Sequence, residues 1–469
     1  MRLFECLLLL SVTMSLIYSL FVKKKSLLVN DVLVFFSFIF FIVHALAEGT
    51  RWQLAGVYIL LAVFILCLRY HHLNKKNFES FTFPKYANII LCVLLILSMI
   101  LLVIFPVYVM KKPDGMYQTG TRIYEATDEN RIEIYGNEKD QFRKLKFQVW
   151  YPADHVENFQ KTPWLYEGVE VAKGISKMLG FPLFTLNQTK YITTHSYLNA
   201  PLSQSEPDYP VVVISHGWNG FRSLHTDFAE TLASHGFVVV SIDHTYGAAV
   251  TVFEDGTVRY NYGKALDGSL SPESFIASAN ILVDTYSKDI LFVIDQLELL
   301  NQNDDAFKNS LDLTNIGLAG HSTGGGAAVL SAIRDDRIKS VFGLDSWVEP
   351  INLKEIESGL DVPSFFLRSE QWENSKNNEN LFNLIDHSPM VLGLYQVTGT
   401  YHVDFSMSYV FSPISKLIGK SGSLKSKISI QLQNDLILDF FTQTLMNHDM
   451  NMTKTAKYGE YIIKIRGGE

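Results

Sequence analysis

Cysteine is the scarcest reactive residue in this chain. Its 469 residues hold three, Cys6, Cys67 and Cys92. None follows residue 92, which excludes disulfides, a thiol nucleophile and a thiolate metal site from everything beyond it. The lack of disulfides is compatible with either side of a membrane. Positive charge is also short. Beyond residue 112 there are 29 Lys and Arg against 44 Asp and Glu. So acidic a region has no electrostatic reason to seek nucleic acid, and its bulk charge does not draw it to anionic lipid. Long apolar runs are likewise missing there, and no internal repeat or low-complexity tract appears.

The apolar runs are concentrated in residues 1–112, at roughly 3–22, 32–48, 53–68 and 88–110. A hydrocarbon core takes about 20 apolar residues to cross, so this region reads as an all-α, four-helix transmembrane region. No small-residue cleavage site follows Phe21, which argues against a signal peptide. The stretch Val32–Ala47 has no polar face to turn toward water. Lys23, Lys24 and Lys25 fill the first connection, and Arg69, Lys75, Lys76 and Lys85 the third. The second has Arg51, offset by Glu48. Positive connections stay cytoplasmic. The expectation is therefore a multi-pass cell-membrane protein with its globular domain on the extracytoplasmic side. Arg2, Arg51, Lys111, Lys112 and Arg122 count the other way. Glu5 and Asp31, near span ends, suit snorkelling or interfacial roles.

From residue 116 the pattern is that of a soluble domain, expected over 116–450, with a C-terminal tail at 451–469. Thr121–Tyr135 reads as a hairpin broken at Asp128-Glu129-Asn130. Lys144–Trp150, Val211–Ile214, Phe237–Ile242, Asn315–Ala319, Ser340–Leu344, Ser364–Leu367 and Leu394–Val397 read as strands. Thr226–His235, closed by Gly236, and Ser287–Leu300 read as helices. Residues 246–284 look like an insertion over one end of the sheet. Strand–helix alternation on this scale predicts an α/β fold, a mostly parallel sheet with helices on both faces.

Gly320-His321-Ser322-Thr323-Gly324 stands between a strand and a small-residue helix, the setting a nucleophile elbow requires. The serine must sit in a tight, strained turn, and glycine leaves room two residues to either side. The helix beginning there points free N–H groups at developing negative charge. Two backbone donors are expected for an oxyanion. One is Thr323, next after the serine; the other is Trp218, in the turn Ser215-His216-Gly217-Trp218-Asn219-Gly220 after an early strand. The base should be a histidine beyond an acidic residue. His387 lies in a turn and His448 in the polar C-terminal segment, whereas His402 ends the loop after Leu394–Val397. Asp345 and Glu370 both end strands and compete for the third role. Asp404, two residues from His402, suits a surface salt bridge.

These residues carry a resemblance. The chain resembles the plasma-type and intracellular type II platelet-activating factor acetylhydrolases from about Lys144 to Ser412. The likeness lies in Phe147-Gln148-Val149-Trp150-Tyr151-Pro152, the segment Tyr209–Gly217, Leu232–Phe237, and Gly320–Gly325. It continues in Leu344-Asp345-Ser346-Trp347, Gly399-Thr400-Tyr401-His402, and Asp404-Phe405. It implies an α/β-hydrolase fold and a triad acid in Leu-Asp-x-Trp, which favours Asp345 over Glu370. It also implies cleavage of short or oxidised acyl chains from phospholipids without calcium. The Gly324-Gly325-Gly326 run resembles bacterial cutinase-like polyester esterases.

The reading is a serine esterase with Ser322, His402 and Asp345 as triad, acting on a lipid or small ester. No His/Asp/Glu cluster shows ligand spacing, so no metal and no cofactor is expected. The alternatives are a broad carboxylesterase or polyester hydrolase, and a membrane sensor whose hydrolase-like domain only binds.

Overall fold

The computed structural model describes residues 2–74, 78, 81–137, 141–447 and 449–468. Lys75, Lys76 and His448 lie outside the described residues. The chain forms two compact units. One comprises Met1–Tyr108, Phe184–Ile192 and Phe411–Ile414, the other the remainder.

In the first unit, α1 (Leu3–Phe21), α2 (Leu27–Ala47), α3 (Ala55–Asn74) and α4 (Lys85–Ile104) are each long and apolar enough to cross a membrane. The second and third helices exceed their apolar runs. The Ser26 side chain accepts the Val29 N–H and starts α2 early, with Asn30 and Asp31 inside it. Leu8, Val12, Leu60, Leu61, Leu91 and Leu95 pack the interior. The outward faces are apolar too, with Phe35, Ile90, Val93 and Val103 all more than half exposed.

One end of this unit is tied by charge. Glu5, fully buried, takes Arg2 at 2.6 Å and Arg51 at 2.7 Å, and so does not snorkel. Glu48 accepts the Phe4 and Glu5 N–H groups, capping α1 from the end of α2. Glu5, His44 and Glu48 bring ligand atoms within 4.8 Å of one another, a grouping that three separate positions in the sequence concealed. Arg2 and Arg51 already fill the Glu5 carboxylate, so the group reads as an ion-pair knot. Asp31 pairs with His72 at 3.0 Å toward the opposite end.

The second unit opens with β1 (Gln118–Ile132) and β2 (Phe142–Ala153), paired antiparallel from Gln118↔Ala153 to Asp128↔Arg143. The expected turn at 128–130 is instead a bulge near the end of one long strand. Its turn-forming chemistry is satisfied locally, because Asp128 accepts the Asn130 N–H and pairs with Arg131. Next come β3 (Lys161–Pro163), α5 (Val169–Met178), β4 (Thr193–Leu198), β5 (Tyr209–Ser215), α6 (Thr226–Ser234) and β6 (Val238–Asp243). A short hairpin, β7 (Val250–Val252) and β8 (Val258–Tyr260), precedes α7 (Pro272–Asn303). That helix starts well before the expected Ser287, because Ser271 caps it and Pro272 occupies its first turn, so 272–284 are helix and not insertion. The elements β9 (Leu311–His321), α8 (Thr323–Arg334), β10 (Ile338–Leu344), α9 (Leu353–Ile356) and β11 (Ser364–Ser369) follow. The chain continues through α10 (Asn377–Asp386), β12 (Val391–Val397), α11 (Ser426–Phe441) and β13 (Ile462–Arg466). Part of the expected tail is thus a strand, antiparallel to β12.

Among the described residues eleven strands form one sheet, in the order β13-β12-β11-β10-β9-β5-β6-β2-β1-β4-β3. From β6 to β12 all neighbours are parallel. Successive residues of the central strands face opposite sides, which is why their sequences are apolar throughout. Val211 and Val213 pack with Val283, Ile290 and Ile294 of α7, whereas Val212 and Ile214 pack with Phe228 of α6 and Phe440 of α11. Strand β5 lies between β6 and β9, so the chain order reverses there, and open α/β sheets place sites at the strand ends beside such a reversal. Ser215 ends β5, and Ser322 directly follows β9.

Candidate active site

Ser322 occupies a strained turn, φ 57° and ψ −122°. The crowding of that turn explains its glycines. A Cβ on Gly320 would meet the Gly324 carbonyl oxygen at 2.3 Å, and one on Gly324 would meet that of Ser215 at 2.2 Å. The turn is tied down by its own main chain: Ser322 N–H donates to Leu344 O, and Ser322 O accepts the Gly326 and Trp347 N–H groups.

Asp345 follows the end of β10, is 2% exposed, and accepts His402 Nδ1–H at 2.9 Å. Ser369 donates to the same carboxylate twice, from N–H and Oγ–H, both at 2.6 Å. Among the described residues Glu370 makes no hydrogen bond or ion pair with the His402 side chain; it accepts the Gly399 N–H and ties the loop that carries the histidine. Gln371 Oε1 accepts the His402 N–H at 2.8 Å. The imidazole itself is sandwiched. Trp372 stacks on it at 4.5 Å and 2°, and His321, the residue before Ser322, lies at 4.5 Å and 34°. His321 Nε2–H donates to the His402 carbonyl. Burial holds His321 well below the ordinary histidine range, keeping it neutral beside His402.

The turn after β5 completes the group. A Cβ on Gly217 would fall 2.8 Å from Ser322 Cβ. Among the described residues, the Trp218 and Thr323 N–H groups have no hydrogen-bond acceptor. Ser322, His402, Asp345, Trp218 and Thr323 are therefore assembled around one end of the sheet. His387 lies apart in an exposed turn on Asn383 O. Asp404 makes no salt bridge among the described residues; it accepts the Tyr401 and Gly422 N–H groups and shapes the loop. Sequence reasoning missed Ser369, Gln371 and Trp372, because each reaches the site through tertiary contact. The nearness of Gln371 and Trp372 to Glu370 was the one available signal.

Residues 108–261 and 293–460 match the family described as platelet-activating factor acetylhydrolase, isoform II. The chain belongs to this family. The platelet-activating factor acetylhydrolase of Cavia porcellus is 28% identical over 314 residues, covering 62% of this chain and 69% of that one. A probable 1-alkyl-2-acetylglycerophosphocholine esterase of Arthroderma benhamiae is 24% identical over 272 residues, covering 54% and 65%. A ferulic acid esterase from Streptomyces cinnamoneus superposes with a TM-score of 0.63 at 20% identity, covering 77% of this chain and all of that one. That likeness shows the α/β-hydrolase fold. The activity class that family membership gives this chain is ester hydrolysis.

Proposed function

We propose that this family member is a membrane-anchored serine esterase that removes short or oxidised acyl chains from phospholipids. The observation that carries the reading is the His402–Asp345 pair at 2.9 Å, held against the strained Ser322 elbow by the His321 ring. His402 Nδ1–H on the carboxylate leaves Nε2 free to take the Ser322 Oγ proton as Oγ attacks the ester carbonyl. The Trp218 and Thr323 N–H groups receive the oxyanion. The proton passes to the departing lysophospholipid hydroxyl, and water then hydrolyses the acyl-serine by the same base.

Two features support a lipid substrate and a membrane setting. The curated relatives act, by name, on platelet-activating factor or on an alkylacetylglycerophosphocholine. The four apolar helices expose apolar surface on their outer faces, which lipid covers at no cost and water does not. The test compares, in the full chain in detergent or vesicles, a 2-acetyl phospholipid with a water-soluble acetyl ester and a long-chain phospholipid. The expected order of kcat/KM is 2-acetyl phospholipid first, and Ser322→Ala abolishes all three. Preference for the water-soluble ester would mark a general carboxylesterase. Failure to turn over any ester would mark a binding domain.

A further inference from the structure

Beneath the oxyanion turn lies a second serine–histidine–aspartate chain. Ser215 Oγ is 2.9 Å from His244 Nε2, and His244 Nδ1 is 2.9 Å from Asp289 Oδ2. Its three side chains are 1%, 0% and 0% exposed, so no ester reaches them. Its chemistry is directional. Arg143 grips Asp289 through two bonds, at 2.7 and 2.6 Å, and Arg131 adds a third contact at 2.7 Å. Burial opposes the aspartate charge, but the two guanidiniums and the His244 hydrogen bond outweigh it and hold Asp289 far below the usual carboxylate range. An ionised carboxylate only accepts, so Nδ1 carries the proton. Burial keeps His244 neutral, so Nε2 accepts the Ser215 hydroxyl proton. Tyr286 stacks on the same imidazole at 3.7 Å.

The chain has an outlet toward the site. His216, wholly buried, donates from Nδ1 to the Gly217 carbonyl at 2.7 Å, and Gly220 N–H donates to the same oxygen at 2.9 Å. The other face of His216 meets His244, whose backbone N–H points at His216 Nε2 across 3.5 Å and whose ring meets it edge-on. In a trans peptide the carbonyl and the next N–H point in opposite directions. Fixing the Gly217 carbonyl therefore fixes the direction of the Trp218 N–H. On the far side, the Ser215 and His216 carbonyls press against Gly324 in the first turn of α8. The turn is held between the elbow and the buried chain.

We propose that Asp289, His244 and Ser215, acting with His216, are positioning residues that aim the Trp218 N–H at the ester oxyanion. The relay links α7 and β2, through Asp289 and Arg143, to the donor. It rests on the assignment of Trp218 and Ser322 proposed above. Preorganised donors act only where charge develops, so a misaimed one lowers kcat and leaves ground-state binding alone.

The test uses the full chain with Ser215→Ala, which removes the hydroxyl and little volume, and His244→Asn as a second variant. Three readouts are taken beside the thermal midpoint. They are kcat and KM on a short-acyl ester, the affinity of a trifluoromethyl ketone that adds to Ser322 as a tetrahedral oxyanion, and the affinity of an unreactive ether analogue. Loss of a whole oxyanion donor costs about 10²–10³-fold, so Ser215→Ala is expected to lose roughly 10- to 100-fold in kcat. The ketone should weaken by a similar factor, with KM and ether affinity within about twofold. Retention of both kcat and ketone affinity by folded Ser215→Ala overturns the relay. So does an equal loss of ether affinity, which marks general collapse of the site. Activity surviving in Ser322→Ala would instead overturn the nucleophile assignment, an outcome independent of Ser215.

Discussion

The indole of Trp372 lies flat on the imidazole of His402, with ring planes 2° apart and centroids separated by 4.5 Å. In the proposed mechanism His402 becomes an imidazolium at each transition state, and an aromatic face stabilises a cation by roughly 0.5–2 kcal/mol. Nothing comparable is gained with the neutral ring of the resting state. Trp372→Ala should therefore lower kcat by about two- to thirtyfold on that energy scale, whereas Trp372→Phe keeps most of the rate. Steady-state kinetics of the two variants on one short-acyl ester decide it, and equal losses in both would show that an aromatic face at this position is not what sustains the rate.

Asp345 and Glu370 lie at the ends of adjacent strands but hold different parts of the same loop. Asp345 takes the imidazole, and Glu370 takes the Gly399 N–H. Asp345→Asn offers an amide N–H or carbonyl where a pure acceptor is needed and favours the wrong imidazole tautomer. A loss on the order of 10³–10⁴-fold in kcat is expected, by analogy with serine triads generally. Glu370→Gln keeps an acceptor for the Gly399 N–H, so a change under about tenfold is expected, the scale of one neutral-for-charged hydrogen bond. The reverse ranking would transfer the acid role to Glu370.

Glu230 predicts a pH dependence of stability away from the active site. It is 2% exposed and accepts Ser196 Oγ–H and His195 N–H, both at 2.6 Å. Burial raises its carboxyl to about 7, above the ordinary value of 4.5. Between those values the folded state holds a proton that the unfolded state has released, so the stability from this group is present at low pH and lost as pH rises through 7. Glu230→Gln should flatten the fall in chemical-denaturation stability between about pH 4.5 and 7, and at pH 8 it should be more stable than the parent. A parallel pH profile in both proteins would rule Glu230 out as its source.

The elbow was legible in the sequence because its constraint is local: a strand, two glycines beside a serine, and a small-residue helix dictate one geometry. The central strands were legible for a similar reason, their unbroken apolar runs marking burial on both faces. Asp345 was not separable from Glu370 by composition, since both end strands, and only the Leu-Asp-x-Trp resemblance favoured it. The contacts that were invisible join distant positions that no motif marks: His244 meets Asp289 across 45 residues, and Asp345 meets the Ser369 hydroxyl across 24. The misread hairpin shows the converse: Asp128-Glu129-Asn130 is strong turn chemistry that the fold uses for a bulge, a choice made by the β2 ladder.

The last prediction concerns sidedness. The first loop joins the end of α1 to the start of α2, and the third joins the end of α3 to the start of α4, so both lie at one end of the helices. Lys23, Lys24, Arg69 and Lys85 at that end are exposed, whereas Lys25 is buried on the Phe81 carbonyl. At the opposite end Arg2 and Arg51 are folded onto Glu5, and Glu48 caps α1. Of the cations that counted against the expected orientation, Arg2 and Arg51 are thus internally neutralised, and the exposed Lys111 and Lys112 stand against four exposed cations at the loop-one and loop-three end. Free Lys and Arg close to the spans hold their loops in the cytoplasm, while large domains translocate largely regardless of their own charge. Arg51 also donates to the Phe105 carbonyl, so the chain leaves α4 at the neutralised end. The globular domain is therefore expected outside the cytoplasm. Protease added to intact cells should cleave it and spare a cytosolic control, and a cysteine placed at Lys24 should label with a membrane-impermeant thiol reagent only after permeabilisation. Protection of the globular domain together with labelling at position 24 in intact cells would reverse the orientation. Protection of both would mean that the two ends do not lie on opposite sides, and that the number of spans is not four.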